Sequence, residues 1–209
     1  MHDETVNRTT NGEGKIRDLY LKEIKSLDAG SWFDSNSPSE KVPTLKEILA
    51  KFENRVHIFV EIKSEEEDLL IELRSLLETM GWIPDNNYEK SGEALTVPGI
   101  SIISFLQDQL LLSAKMLPEL AHGLLTIETS EELIEWCVSE GMVGIFPYVG
   151  YIDKNFVSSA HNSGLYVGAW GFENPEQLSS NLGLGLDGVT VDWPVEAAVI
   201  IGKEISLDE

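Results

Sequence analysis

Cysteine is almost absent: Cys137 stands alone among 209 residues. That excludes an intrachain disulfide and any zinc site built on several thiolates. Within EELIEWCVSEGM it falls at helical spacing, the place of a small buried hydrophobe rather than a nucleophile. Basic residues are scarce too, 15 Lys+Arg against 36 Asp+Glu, for a formal net charge of −21. Counterion release from a phosphate backbone needs clustered Lys and Arg, and there is no basic stripe, so nucleic acid is not an expected partner. The same scarcity argues against a polybasic grip on an anionic membrane. No apolar run approaches the roughly 20 residues that cross a bilayer, so no integral membrane segment is expected. The opening MHDETVNRTT lacks the apolar centre of a signal peptide.

What is present is ordinary globular material, 42% hydrophobic and so able to bury a core. No Pro/Gly/Ser-rich linker divides the chain, which predicts one domain over residues 1–209. The first forty residues are polar and turn-rich around one short helix near Leu19–Leu27. PTLKEILAKFEN then reads as an amphipathic helix with Leu45, Ile48, Leu49 and Phe52 on one face. In VHIFVEIK, Val56, Ile58, Val60 and Ile62 alternate with His57, Phe59, Glu61 and Lys63, which predicts a strand with one wholly apolar face. SEEEDLLIELRSLLETMGW follows as a long helix with acidic residues in its first turn and Gly81 near its end.

Five further strands are expected in GISIISF (99–105), HGLLTI (122–127), MVGIFPYV (142–149), LYVGAWGF (165–172) and DGVTVDW (187–193). Helical stretches separate or follow them at Gln107–Leu117, Ser130–Glu140, Lys154–Asn162, Pro175–Asn181 and Val195–Gly202. After the first pair, strand starts recur at roughly 20 to 25 residues, the size of a compact β/α unit. Such alternation demands a parallel sheet covered by helices. The expected class is therefore α/β, a TIM (β/α)8-type barrel lacking its first two β/α units, since six strands are counted and closure takes eight.

Barrel active sites gather at the carboxyl ends of the strands. There, Glu61 and Lys63 share a strand face and could bind a divalent cation and an anionic substrate, or simply form a salt bridge filling the barrel top. Trp170 is a pocket wall or packing, and packing is the simpler reading of the pattern alone. Asp192 is a ligand or the cap of the following helix. His57, His122 and His161 fall at strand starts or on a helix face and read as structural. His2 alone would read as a disordered end.

The run MHDETVNRTTNGEG changes that reading. It resembles a signature of the glycerophosphodiester phosphodiesterase family, in which a strand ending in His-Asp leads to Arg-Thr-Thr-x-Gly-x-Gly. Those positions are His2, Asp3, Arg8, Thr9, Thr10, Gly12 and Gly14. The similarity continues in order through LDAGSWF (27–33), VPTLKEIL (42–49), VEIK (60–63), ISF (103–105), AHNSGLYVGAWGFENPE (160–176) and DGVTVDWP (187–194).

The resemblance implies a TIM barrel that hydrolyses a glycerophosphodiester to an alcohol and glycerol 3-phosphate with a divalent cation, Ca²⁺ or Mg²⁺. It implies that His2 is one of two catalytic histidines, one a base and the other an acid, with His2 taken here as the acid, and that Glu61 is a metal ligand. Lys63 would lie beside the phosphate, and Trp170 would line the glycerol or alcohol side of the pocket. A hard cation offsets charge on phosphoryl oxygens, and an imidazole can protonate a leaving alkoxide.

The departures from the family are also specific. Its His-Arg-Gly strand end, its Pro-Glu-Asn-Thr loop and its Glu-x-Asp pair are absent, so residue 1 reads as an internal methionine of a longer protein. Any export signal would then lie upstream, with a cytoplasmic location favoured. With one presumed metal carboxylate left, metal affinity should be poor and the chain alone nearly inactive. The alternative is a non-catalytic, family-derived scaffold or ligand-binding protein completed by self-association. A phosphoinositide-specific lipase is a more distant reading.

Overall fold

The computed structural model describes residues 1–33, 38–53, 55–66, 68–83, 95 and 99–203. Two compact units are present, Met1–Glu53 and Asn54–Glu209.

In Met1–Glu53 the polar run folds on its own hydrogen bonds rather than on alternating apolar residues. An antiparallel bridge joins Thr5 to Lys15, flanked by Val6 N donating to Gly14 O and Ile16 N to Glu4 O, both at 3.0 Å. Inside this loop Thr10 Oγ1 donates to Val6 O at 2.6 Å and accepts from Gly12 N at 3.0 Å. Gly14 sits at φ +117°, where a side chain would be strained. A methyl at Gly12 would overlap Leu27. Both glycines of the motif therefore have a local reason to be glycine.

Two short helices follow, α1 (Leu21–Ser26) and α2 (Leu45–Lys51). Thr44 and Glu47 form a capping box at the start of α2, which satisfies two backbone donors that a helix end otherwise leaves unpaired. Lys25 Nζ reaches Glu47 Oε2 at 2.6 Å and Val42 O at 2.9 Å, tying α1 to α2. The expected short helices are both found, and part of the turn-rich run between them (34–37) lies outside the described residues.

In Asn54–Glu209 strands and helices alternate strictly: β1 (His57–Glu61), α3 (Leu69–Met80), β2 (Gly99–Ser104), α4 (Gln107–Met116), β3 (Ala121–Thr126), α5 (Glu131–Ser139), β4 (Gly144–Pro147), α6 (Lys154–Asn162), β5 (Tyr166–Ala169), α7 (Pro175–Asn181), β6 (Gly188–Val189) and α8 (Pro194–Ile200). The six strands form one sheet in sequence order, every neighbouring pair parallel. This is the α/β architecture expected of TIM-barrel β/α units.

Side-chain caps set several helix starts. Ser130 accepts from Leu133 N, Asp153 from Phe156 N, and Asn174 from Gln177 N ahead of Pro175. Gly81 ends α3 at φ 71°. Helix α3 begins at Leu69, so Glu65 and Glu66 precede its first turn rather than occupy it.

Ile102, Leu124, Ile145 and Val167 on successive strands are almost completely buried, as are Leu70, Leu77 and Leu110 on the helices. The opposite face of the sheet carries Phe59, Phe146 and Tyr166, with ring centroids 5.6 Å and 5.8 Å apart in succession. In a flat sheet β1 and β4 would stand roughly 14 Å apart, so contact between Phe59 and Phe146 requires the sheet to curl toward this face.

Strand β6 is the main departure from the sequence reading. It spans two residues instead of most of DGVTVDW, with Asp187 N donating to Val167 O before it and Thr190 N to Ala169 O after it. Among the described residues its one neighbour in the sheet is β5, so little holds the chain extended beyond the point where it turns into α8. Asp192 therefore lies past the strand, exposed, and Trp193 rather than Asp192 occupies the N-cap of α8. Among the described residues, no helix is long and apolar enough to cross a membrane.

Candidate active site

Because all six strands run parallel, their carboxyl ends lie at one edge of the sheet. Glu61 closes β1 on the face of His57 and Phe59. Two residues on, Lys63 Nζ lies 2.7 Å from Glu61 Oε1, with the carboxylate side chain 24% exposed and the ammonium side chain 37%. The pair is thus half-sheltered, and each charge is partnered. Expected as two neighbouring functional groups or as a salt bridge, Glu61 and Lys63 form the bridge in this structure.

Trp170 follows β5 at the same edge and bridges in parallel to Tyr148 beyond β4. Its Nε1 donates to Phe146 O at 3.0 Å. Its ring meets that of Phe105, just past β2, at 5.4 Å and 89°, and that of Tyr148 at 5.0 Å and 55°. Trp170 is therefore both packed and partly exposed, a wall with one accessible side. Tyr148 is wedged between Gly150 and Gly171, where an added methyl would overlap its ring. Gly171 also has φ +85°, so the position is closed to side chains on two counts.

Phe105 and Tyr148 escaped the sequence reading as site residues. The signal was available: each continues its strand's alternation on the face that Trp170 also occupies. What the sequence did not show is that strand ends with two other strands between them, those of β2 and β5, are brought into ring contact by the curl.

In the other unit, His2 Nδ1 lies 3.0 Å from Asp3 Oδ1. A carboxylate only accepts, so this contact needs the proton on Nδ1 and leaves Nε2 as the second nitrogen. Arg8 grips Asp3 through Nε at 2.7 Å and Nη2 at 2.8 Å. The Arg8 guanidinium, then His2, hold the Asp3 carboxyl well below the usual carboxylate range. An aspartate kept ionised and fixed in this way orients the imidazole, which is 75% exposed.

The other histidines are tied into the scaffold. His57 Nε2 pairs with Ser101 Oγ at 2.7 Å. His122 is buried between Ser113 Oγ and Leu120 O. His161 Nε2 meets Asp187 Oδ2 at 2.8 Å, and that oxygen also accepts from Val167 N.

A divalent cation needs several hard oxygen or imidazole donors. Among the described residues, no group of three or more His, Cys, Asp or Glu side chains could hold a metal ion, and Glu61 already accepts from Lys63. The described donors do not fit the expected Ca²⁺ or Mg²⁺ site.

Comparison with known proteins supplies the identity. Residues 1–196 match the glycerophosphoryl diester phosphodiesterase family. A glycerophosphodiester phosphodiesterase of Caldanaerobacter subterraneus subsp. tengcongensis is 29% identical over 97% of this chain and 79% of its own length. One from Bacillus subtilis is 28% identical over 93% of this chain and 68% of its own length. An Oleispira antarctica phosphodiesterase, solved in complex with the product sn-glycerol-3-phosphate, superposes with a TM-score of 0.79 at 25% identity, over 97% of this chain and 78% of that one. Signature, fold and relatives agree, and the chain belongs to the glycerophosphoryl diester phosphodiesterase family, a family of enzymes.

Proposed function

We propose that the family's hydrolysis, a glycerophosphodiester to an alcohol and glycerol 3-phosphate, is directed in this chain by the carboxyl edge of β1 to β5. The observation that carries this reading is the Glu61–Lys63 pair at 2.7 Å on the edge that also bears Trp170. The ammonium of Lys63 can exchange its bond to Glu61 for one to a non-bridging phosphoryl oxygen and so offset charge as the phosphorus is attacked. A water oxygen bonds to phosphorus as one of its protons passes to solvent, the bond to the alcohol oxygen breaks, and the leaving alkoxide takes a proton. His2 is the proposed donor; its support is the family motif and the imidazole orientation set by Asp3 and Arg8. Trp170 supports the alcohol side through its accessible ring.

No step is assigned to a divalent cation, because the described donors do not fit one. Cation charge stabilisation is worth several kcal/mol, about tenfold in rate per 1.4 kcal/mol, so a site relying on Lys63 turns over slowly. Purified chain incubated with glycerophosphoglycerol, with Ca²⁺ or Mg²⁺ and with chelator, tests this by release of glycerol 3-phosphate. Slow release that is lost in Lys63→Met is expected. Fast turnover in Lys63→Met, or no release from the unmodified chain under any condition, would overturn the proposal.

A further inference from the structure

We infer that the outer edge of β1 pairs antiparallel with the same edge of a second copy of the chain, joining the two in a two-fold dimer through one continuous sheet. This pairing stands whether or not the chain hydrolyses a diester.

β1 ends the strand order, and no described strand pairs with its other side. Gly99 N donates to Val56 O at 3.3 Å, and Ile62 N to Ile103 O at 2.9 Å. Strand alternation then turns the peptide groups of Ile58 and Val60 toward β2 and those of His57, Phe59 and Glu61 outward. Each outward residue offers an N–H and a C=O, which makes the edge a template for strand addition. Burial agrees: Ile58 and Val60 are only half-buried, whereas their register partners Ile100 and Ile102 are 6% and 0% exposed. On the opposite face Phe59 is 38% exposed. Natural edges are commonly blunted by Lys, Pro or a bulge. His57–Glu61 holds neither residue, and its register with β2 is unbroken.

A second copy fits because the strand complements itself. A two-fold axis through Phe59, perpendicular to the sheet, sets Phe59 opposite Phe59, Ile58 opposite Val60 and His57 opposite Glu61. Aromatic, aliphatic and imidazole–carboxylate pairs all favour antiparallel neighbours. His57, Phe59 and Glu61 become the hydrogen-bonded positions, where opposed residues exchange both N–H···O bonds. The next pair outward would oppose Arg55 to Lys63, two like charges, so the ladder ends where the strand does.

The far edge of the sheet does not extend the assembly. β6 spans two residues, too short a ladder to hold a further chain, so pairing closes at two copies. Each chain thereby brings its His57 next to Glu61 of the other, and the second copy adds a residue to the rim of the candidate site.

Hydrogen exchange of the full chain, read at single amides over a concentration series, distinguishes the two sides of β1. Roughly 0.15 M salt screens the net charge of −21 beyond about 8 Å and leaves directly opposed side chains in reach of each other. From dilute to concentrated solution, the Phe59 and Glu61 amides are expected to gain about tenfold or more in protection over those of Ile58 and Val60, which bond to β2. Sedimentation over the same range should show monomer and dimer alone. His57→Glu sets two carboxylates opposite each other and should weaken the dimer about tenfold or more. Adding Glu61→His to it restores the opposed pair and should recover the affinity, which a variant damaged only in its own fold would not do. A chain monomeric at every concentration, assembly past two copies, or a dimer indifferent to His57→Glu would each overturn the inference. So would edge amides equally protected at all concentrations, because the chain would then cover its own edge; this readout needs no variant to fold.

Discussion

The ring of Phe59 on β1 packs edge-on against that of Phe146 on β4, 5.6 Å between centroids and 73° between planes, across two intervening strands. Phe146 can occupy this position because Gly123, Gly144 and Gly168 on β3, β4 and β5 leave it room; a methyl on any of them would press on its ring. One large side chain set among three strand glycines fills the concave face and holds the curl. Phe146→Ala should therefore cost about 3–5 kcal/mol, read as a lowered urea midpoint with little change in slope. A loss below about 1 kcal/mol would mean that the ring does not support the curl.

Much of the scaffold was legible because its causes are local. The bounds of α6 and α7 follow from Asp153 and Asn174, whose side chains take the first free backbone donors, with Pro175 preset for the first helical turn. The apolar alternation of VHIFVEIK required only that one face meet helices. By contrast β6 looked like a full strand, because alternation does not report whether a ladder has partners on both sides. The Phe105–Trp170 contact was hidden for a related reason: it joins residues 65 positions apart and depends on curvature, a property of the whole sheet. The exchange of Asp3 between His2 and Arg8 lay within the recognised motif, yet the motif alone did not show that the aspartate orients the histidine.

The bond between Lys63 and Glu61 makes a prediction about metal ions. Any cation that takes Glu61 must displace the ammonium 2.7 Å away, and a lone carboxylate is a poor match for the six to eight oxygens that Ca²⁺ takes. Calorimetry of the chain should show Ca²⁺ binding no tighter than about 1 mM. Lys63→Gln should strengthen it only severalfold, and Glu61→Gln should remove that gain. A micromolar dissociation constant for the unmodified chain would reveal donors other than Glu61.

Acid should weaken α2. Lys25, with the Thr44 backbone, lowers the Glu47 carboxyl from 4.5 to about 2. A carboxyl depressed in the folded state contributes stability above its ordinary value and loses it as pH falls through the folded one. The α2 contribution is therefore complete above about pH 4.5 and disappears toward pH 2. Hydrogen exchange at the Leu49 amide, corrected for intrinsic rates, should accelerate over that window. In Glu47→Gln the exchange should already be fast at neutral pH and lose this dependence. A Leu49 amide that stays equally protected at pH 2 would separate the helix from the Glu47 charge.

Cys137 gives the opposite sign of pH dependence. It lies on α5, fully buried, and burial pushes its thiol up to about 12 from 9. The folded state therefore favours the neutral thiol, while the unfolded chain ionises near pH 9, so this contribution is intact below pH 9 and lost as pH rises toward 12. The native chain should ignore a chromogenic disulfide reagent at pH 8 and react with one equivalent after unfolding in guanidinium. Cys137→Ala should cost less than Cys137→Ser, because serine would place a stronger hydrogen-bonding group in the same apolar setting, a penalty of about 1–3 kcal/mol when unpaired. Rapid labelling of the native chain would show that α5 opens locally on the timescale of the reaction, and the order of the two substitutions would then carry no information about the closed core.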